Sequence, residues 1–423
     1  MKGDIFQVED LPEEIEFNSI IEITTNNVNY FTHGFFKYPC KFIPQIPRWA
    51  ILKYTKEKQL VLDPFAGSGT TLVEAVINNR NALGVDFDKL SQLLCKTKTS
   101  LLDDNQIQYL YKLKNNLFEN INNTSDFKPD IHNVNHWFPE YNIQNLSKLK
   151  EKISNIYKLK RDEKIHNLLL TCFASIIKKC SYADNTSPKP YVSTRFKKEP
   201  LKVKESFLKT LELYLKRMEE YKNRRSIGKA FIISEDARQI NTPEYEKNVS
   251  LAVTSPPYIN AFDYVRSLRL ENAWLGFYGD SNVKEMKKIQ VGTETIPSNI
   301  YKKKLRKHEN KKLNSILEGI YERDKKRAFV VLKFFEDMDR NFKEVYKLLK
   351  EKAHYVIVVG DSKIKGIDVP THEILIDIAK RRGYRLENIF SYIIKNRYLR
   401  IPRSGRGGLI KRDWVIDLVK ENG

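Results

Sequence analysis

The sequence predicts an α/β protein built on a Rossmann-like sheet that is interrupted by a large helical insertion, and three stretches carry that prediction. The first is Leu60-Val61-Leu62, an apolar run that enters the turn Asp63-Pro64-Phe65-Ala66-Gly67-Ser68-Gly69 and leaves it as a helical pattern over 71–77. The second is Ala82-Leu83-Gly84-Val85, a short strand that stops at Asp86, seventeen residues after Gly69. The third is Leu251-Ala252-Val253, halted by Pro256-Pro257, since consecutive prolines bar a helix interior and a central strand alike. Strands alternating with helices belong to parallel sheets, and open sheets of that kind bind ligands outside the carboxyl ends of their strands.

The other elements follow in chain order. Residues 1–59 open irregularly with His33-Gly34-Phe35-Phe36-Lys37-Tyr38-Pro39-Cys40, and a helix starts over 46–52 with Pro47 near its first turn. After Asp86, apolar residues recur at intervals of three and four over 90–118, 143–180 and 203–222, as in Leu146, Leu149, Ile153 and Ile156. Polar loops separate these helices at 120–126 and 184–190. Residues 100–225 therefore read as a mostly helical insertion, and residues 1–99 plus 226–423 as a discontinuous core. The sheet resumes at Ala230-Phe231-Ile232-Ile233. A loop leading into a helix spans 260–275. Residues 279–326 are polar and Lys-rich with little apolar pattern, which suggests a second insertion inside the core. A helix at 328–350, a strand at 355–359 and a helix at 370–382 come next. Leu386–Ile394 and Trp414–Val419 can form an antiparallel pair that closes the sheet.

Composition narrows the partners. Lys and Arg number 74 against 53 Asp and Glu, for a formal charge of +21, which suits a polyanion, although lysine is spread through the whole chain. Cys40, Cys95, Cys172 and Cys180 lack metal-site spacing, so no metal is expected, and they read as reduced thiols of a cytoplasmic protein. With no apolar run near eighteen residues, no membrane partner is expected.

The motifs carry chemistry. Glycines at 67 and 69 let a ligand approach the backbone, and the helix that follows offers free N–H groups. Asp86 stands where an acidic residue can bind ribose hydroxyls. The turn is neither GxGxxG nor a P-loop. At the end of the strand before the Pro-Pro pair, Ser255, the Pro256 carbonyl and the flat face of Tyr258 could hold a planar substrate bearing an amine. Ser255-Pro256-Pro257-Tyr258 resembles the catalytic motif of the DNA amino-methyltransferases that modify exocyclic amines, in the Ser form associated with cytosine. Asp63-Pro64-Phe65-Ala66-Gly67-Ser68-Gly69-Thr70-Thr71 looks like the S-adenosylmethionine motif of the same family.

That resemblance implies a seven-stranded class I methyltransferase sheet, S-adenosylmethionine as cofactor and double-stranded DNA as partner. It also implies a restriction–modification system, with a cognate restriction endonuclease as a further partner. It assigns Ser255, Pro256, Pro257 and Tyr258 to catalysis. Lys41, Phe42 and Pro44 match the motif that packs on the methionine end of the cofactor. Asp63, Pro64, Phe65, Gly67, Ser68, Gly69 and Thr70 form the cofactor turn. Asp86 takes the ribose, and Asp236, preferred over Glu235, takes the adenine amine beside Ala237. DNA contacts are expected from Asn260, Asp263, Tyr264 and Arg266, from Arg195 within the basic and aromatic stretch 193–198, and from Arg400, Arg403 and Arg406 in a Gly- and Arg-rich loop.

The expected reaction is direct methyl transfer to cytosine N(4) in a short DNA sequence, with the base flipped out of the duplex. Adenine N(6) is the alternative, placed second because its enzymes usually carry Asp or Asn where this chain has Ser255. An RNA amine methyltransferase and a non-catalytic DNA-binding subunit are further readings. Carbon-5 methylation is rejected: Pro39-Cys40 precedes the cofactor motif, and the Ser255 site contains no cysteine. Motif order, with the cofactor half first, resembles the α group of the family. Asp236 falls after the helical insertion, however, which departs from a simple cofactor–recognition–catalysis layout. Target recognition then falls to one of the two insertions, 100–225 or 279–326.

Overall fold

The computed structural model describes residues 5–24, 27–119, 125–222, 227–259, 262–393 and 412–422. Nine strands form one sheet: β1 (Ile5–Val8), β2 (Ile20–Ile23), β3 (Leu60–Asp63), β4 (Asn81–Val85), β5 (Ala230–Ser234), β6 (Val249–Thr254), β7 (Leu349–Val359), β10 (Tyr384–Ile393) and β11 (Arg412–Lys420). A separate hairpin joins β8 (Ser362–Ile364) to β9 (Ile367–Val369). The sheet order is β1-β2-β10-β11-β7-β6-β3-β4-β5. Strand β11 runs antiparallel to β10 and β7, and every other neighbouring pair is parallel. The seven expected strands are all present from β5 to β10. Strands β1 and β2 extend the sheet beyond them, β2 pairing Ile20 and Ile21 with Ser391 and Tyr392. Each added strand is four residues long, too short for alternation to stand out in the sequence.

The sheet is covered on both faces because successive side chains of each strand point to opposite sides. Val61, Leu251, Val253, Val356 and Val358 face α1 (Gln45–Tyr54) and α2 (Thr70–Ile77). Leu62, Ala252, Tyr355 and Ile357 face the opposite core, which is closed by the three helices α13 (Lys311–Arg323), α14 (Lys325–Leu348) and α15 (Thr371–Arg381).

A third apolar body is mainly helical. It joins α3 (Lys89–Thr99), α4 (Asp104–Asn116), α6 (Glu140–Lys160), α7 (Glu163–Ile177) and α8 (Val203–Lys222) to the outer side of α2 and to α10 (Arg269–Leu275). The helical region 100–225 thus shares one continuous core with the helices that carry the glycine turn. Short helices α5 (Val134–Trp137), α9 (Tyr264–Ser267), α11 (Val283–Ile289) and α12 (Ser298–Tyr301) complete the chain.

The Lys-rich segment 279–326 is more ordered than its composition predicts. Leu313, Leu317 and Ile320 of α13 are fully buried, an i, i+4, i+7 stripe that the surrounding lysines obscure. Among the described residues no helix is long and apolar enough to cross a membrane, and no cluster of His, Cys, Asp or Glu could hold a metal ion.

Candidate active site

Chain order places the site. From β3 the chain proceeds outward through β4 to β5, then returns to lay β6 on the other side of β3, with Val61 opposite Leu251 and Leu62 opposite Ala252. The reversal opens a crevice at the carboxyl ends of β3 and β6. Both motifs begin there. Thr254 Oγ1 donates to Asp63 Oδ1 at 2.6 Å, and Thr71 Oγ1 donates to the Val253 carbonyl at 3.3 Å. Asp63 Oδ1 also accepts from the Phe65 amide at 3.0 Å, which closes the turn. Burial raises the Asp63 carboxyl to about 6, against these hydrogen bonds. Asp63 therefore joins the two motif loops from behind and does not line the crevice.

The glycine turn is held by buried side chains. Gly67 and Gly69 adopt φ of +50° and +79°, and a Cβ at Gly69 would lie 3.2 Å from Cys95 Sγ and 3.3 Å from its Cα. The Ser68 carbonyl accepts from Lys98 Nζ at 2.8 Å. Lys98 is fully buried, and desolvation, aided by the charge of Lys41, holds it well below the usual lysine range. The Gly67 amide donates to Asp86 Oδ2 at 2.8 Å, and the Asp88 amide donates to Asp86 Oδ1 at 2.9 Å. Burial and the neighbouring Asp88 push the Asp86 carboxyl up to about 8. Asp88 is itself fixed by the Ser91 amide, Asn272 Nδ2 and the Tyr278 hydroxyl at 3.0–3.2 Å.

A cleft of about 800 Å³ of empty volume, open at its mouth, lies over this turn. Lys41 and Phe42, then Pro64, Phe65, Gly67, Ser68 and Thr70 of the glycine turn, and Asp86, Asp236 and Ala237 line it. Ser255 and Pro257 reach the same cleft from β6. Of the cofactor residues expected from sequence, Asp63 and Gly69 do not line it. Lys41 Nζ donates to the His33 carbonyl at 2.9 Å, and burial lowers its pKa to about 8. Burial works to raise the Asp236 carboxyl, but Arg238, at 2.8 and 2.9 Å through Nε and Nη2, holds it below its ordinary value. Glu235 also faces the cleft and pairs with Lys89.

Sequence reasoning missed Tyr38, Cys40, Phe87 and Asp88, and also Ile289 and Val291. The last two come from the Lys-rich segment. Their signal was faint: two apolar residues flanking Gln290 behind a run of lysines.

On the substrate side, Pro256 is buried and Tyr258 is half-buried, its hydroxyl directed at Ser255 and at Asp413 on β11. Asp263 caps α9 through the Arg266 amide at 2.9 Å and pairs with Lys287 at 2.7 Å. Tyr264 lines the cleft, with its ring against Phe262 at 4.7 Å. Arg266 is exposed, as is Arg195, whose guanidinium sits 5.2 Å over the ring of exposed Phe196. Asn260, Arg400, Arg403 and Arg406 lie outside the described residues.

Strand order and glycine turn are those of an S-adenosylmethionine-dependent methyltransferase fold. A family model described as DNA methylase, for the N6 and N4 enzymes, matches residues 10–96. The chain is 26% identical to the type II methyltransferase M.MvaI of Kocuria varians over 91% of its own length and 88% of that protein. Against the type II methyltransferase M.BsoBI of Geobacillus stearothermophilus the identity is 22%, over 91% of this chain and 87% of that one. Among solved structures, a SAM-dependent methyltransferase from Methanosarcina mazei covers 88% of this chain and 97% of its own at 10% identity, with a TM-score of 0.32, too slight a likeness to add to the strand order. The chain is thus similar to the N(4)/N(6) DNA amino-methyltransferases, and these matches support an S-adenosylmethionine-dependent DNA methyltransferase.

The cleft suits that cofactor. Gly67, in the left-handed region, lines the cleft without a side chain, Ser68 Oγ is buried without a hydrogen-bond partner among the described residues, and the Asp86 carboxyl faces the same cleft.

Proposed function

We propose that this enzyme methylates the exocyclic N(4) amine of cytosine within a short DNA sequence, as the modifying partner of a restriction endonuclease. The observation that carries the reading is Ser255: a neutral hydroxyl, presented from the strand next to the glycine turn, in the same cleft. Two relatives matched over nearly their full length bear the name type II methyltransferase, which supports a sequence-specific DNA substrate.

Lys41 and Phe42 would hold the methionine end of the cofactor, Pro64–Thr70 its centre, Asp86 the ribose hydroxyls, and Asp236 with Ala237 the adenine. S-adenosylmethionine supplies an electrophilic sulfonium methyl. The protein must make the amine nucleophilic, because the nitrogen lone pair is conjugated into the ring. Ser255 Oγ and the Pro256 carbonyl accept the amine hydrogens, turn the nitrogen toward tetrahedral geometry and free its lone pair. Positioning and these fixed acceptors supply the acceleration. The target atom is inaccessible inside a duplex, so the base must be flipped. Stacking on Tyr258 would stabilise it by about 1–3 kcal/mol. The helical region 100–225 is proposed to read the target. Its loop bearing Arg195 and Phe196 is tied to the segment that leads into the cleft, because Lys198 Nζ and Lys37 Nζ both donate to Asn185, at 3.0 and 3.1 Å, and Lys37 directly precedes the cleft residue Tyr38.

The test is mass spectrometry of nucleosides from genomic DNA of cells expressing the chain or its Ser255→Ala variant. N(4)-methylcytosine with the intact chain alone is the expected result. N(6)-methyladenine would move the reading to adenine. Neither product would overturn DNA amine methylation by this chain in favour of an RNA substrate or a binding role. Unchanged product from Ser255→Ala would sink the role of that hydroxyl.

A further inference from the structure

A buried carboxyl group stands behind the catalytic loop and has no place in the mechanism above. Asp413, in β11, is 6% exposed. Its Oδ2 accepts from the Tyr392 hydroxyl at 3.1 Å, while Oδ1 is buried with no hydrogen-bond partner among the described residues. The Tyr258 hydroxyl faces this carboxyl on one side and the Ser255 hydroxyl on the other.

We propose that Asp413 is a positioning residue for methyl transfer, the terminal acceptor of a hydroxyl chain Ser255–Tyr258–Asp413 that fixes which way the Ser255 hydroxyl points. This rests on the reading of Ser255 as the amine acceptor. An ionised carboxylate can only accept hydrogen bonds. Tyr258 must then donate to Asp413, so its lone pairs are available to the Ser255 proton. Ser255 is left with its own lone pairs toward the cleft, the orientation an amine hydrogen requires. A protonated Asp413 becomes a donor and reverses the chain. Tyr258 then donates to Ser255, and the Ser255 proton is turned toward the amine, which it repels.

Burial raises the Asp413 carboxyl to about 6, so the reversal falls just below neutrality. The titratable groups around it are Tyr258 from the catalytic loop, Tyr392 from β10 and Cys40 from the loop before α1. The first two are held well above their ordinary values by burial, and burial pushes the Cys40 thiol up to about 12, so all three stay neutral through this range. The adjacent Trp414 carries the Asp361–His372 pair on the β7 side.

The experiment measures initial rates of methyl transfer from S-adenosylmethionine to unmodified genomic DNA, from pH 5 to pH 9, for the full chain and three variants. Asp413→Asn should lower kcat roughly tenfold or more, leave KM for DNA and cofactor affinity within about twofold, and lose the acid limb near pH 6 seen in the unaltered protein. Tyr258→Phe keeps the ring but breaks the chain, so it should show the same kcat loss, and the double variant should be no worse than either. Full kcat with the acid limb retained in Asp413→Asn overturns the role. So does full kcat in Tyr258→Phe, including the case where Asp413→Asn fails to fold. Absence of transfer by the unaltered chain overturns the amine-methylation reading, and this role with it, whereas failure of the variants alone to differ overturns the role by itself.

Discussion

The loops that leave β3 and β6 start side by side and are built on opposite plans. In the loop after β3 the backbone is held from inside the protein: Asp63 Oδ1 accepts from Thr254 and the Phe65 amide, the Gly67 amide donates to Asp86, the Ser68 carbonyl accepts from Lys98, and the Gly69 amide donates to the Ala66 carbonyl at 2.7 Å, while Asp63 Oδ2 and Ser68 Oγ keep no partner among the described residues. The loop after β6 contains two prolines, which donate nothing, and two hydroxyls that face each other. The contrast follows from what each binds. A cofactor common to every turnover rewards a rigid cradle prepared in advance. On the proposed function, a flipped base would arrive from a duplex with its own donors, and the loop after β6 would hold acceptors in reserve for it.

The largest expected effect tests the rigid half. Gly69→Ala places a Cβ against the backbone of Cys95 at a φ of +79°, where both the neighbour and the conformation resist. Left-handed strain alone costs about 1–2 kcal/mol, so S-adenosylmethionine affinity by calorimetry should fall at least tenfold, with a lower melting temperature. Gly67→Ala should be milder, since its Cβ meets the Tyr38 ring edge at 3.5 Å, an ordinary contact. Ser255→Ala, in the other loop, should leave cofactor affinity unchanged. If Gly69→Ala binds cofactor normally, the rigid-cradle half of the comparison is wrong.

A smaller effect comes from Asp86. With its carboxyl raised to about 8, the free protein keeps this proton at neutrality. In the proposed role ribose hydroxyls would donate to the ionised form, so binding should expel the proton below that pH. Affinity should therefore rise between pH 6 and pH 8, by at most about tenfold per unit, and level off above. Calorimetry at pH 7 in buffers of different ionisation enthalpy should register proton release, and Asp86→Asn should abolish it. Equal heats in all buffers would mean that Asp86 is already ionised, or that it does not face the ribose.

These two loops were also the most legible parts of the sequence. Glycines at left-handed positions and a double proline are local constraints, readable without knowing what surrounds them. Partners distant in sequence were not readable. Lys98 passes for one more lysine in a basic chain until the fold sets it under Ser68. Asp413 lies over 150 residues from the Tyr258 it faces, on a strand whose pairing register alone decides its side. Ile289 and Val291 were hidden for a different reason: charge patterning dominates their segment, and two apolar residues make no period.

The weakest effect sharpens the comparison at its outer edge, where binding should owe least to prepared geometry. Arg195 is exposed and leans on Phe196, itself 72% exposed, in a loop tied through Asn185 to the segment that leads into the cleft. A solvated guanidinium contacting a phosphate contributes affinity through counterion release and no sequence information. Arg195→Ala should therefore weaken DNA binding about equally for all sequences, flatten the slope of log affinity against log salt by about one, and leave kcat unchanged. A variant that keeps its salt slope but loses discrimination between target and non-target DNA would show the opposite. The helical region would then present a prepared surface of its own, and the division between a rigid cofactor half and an adaptable DNA half would no longer follow the two loops.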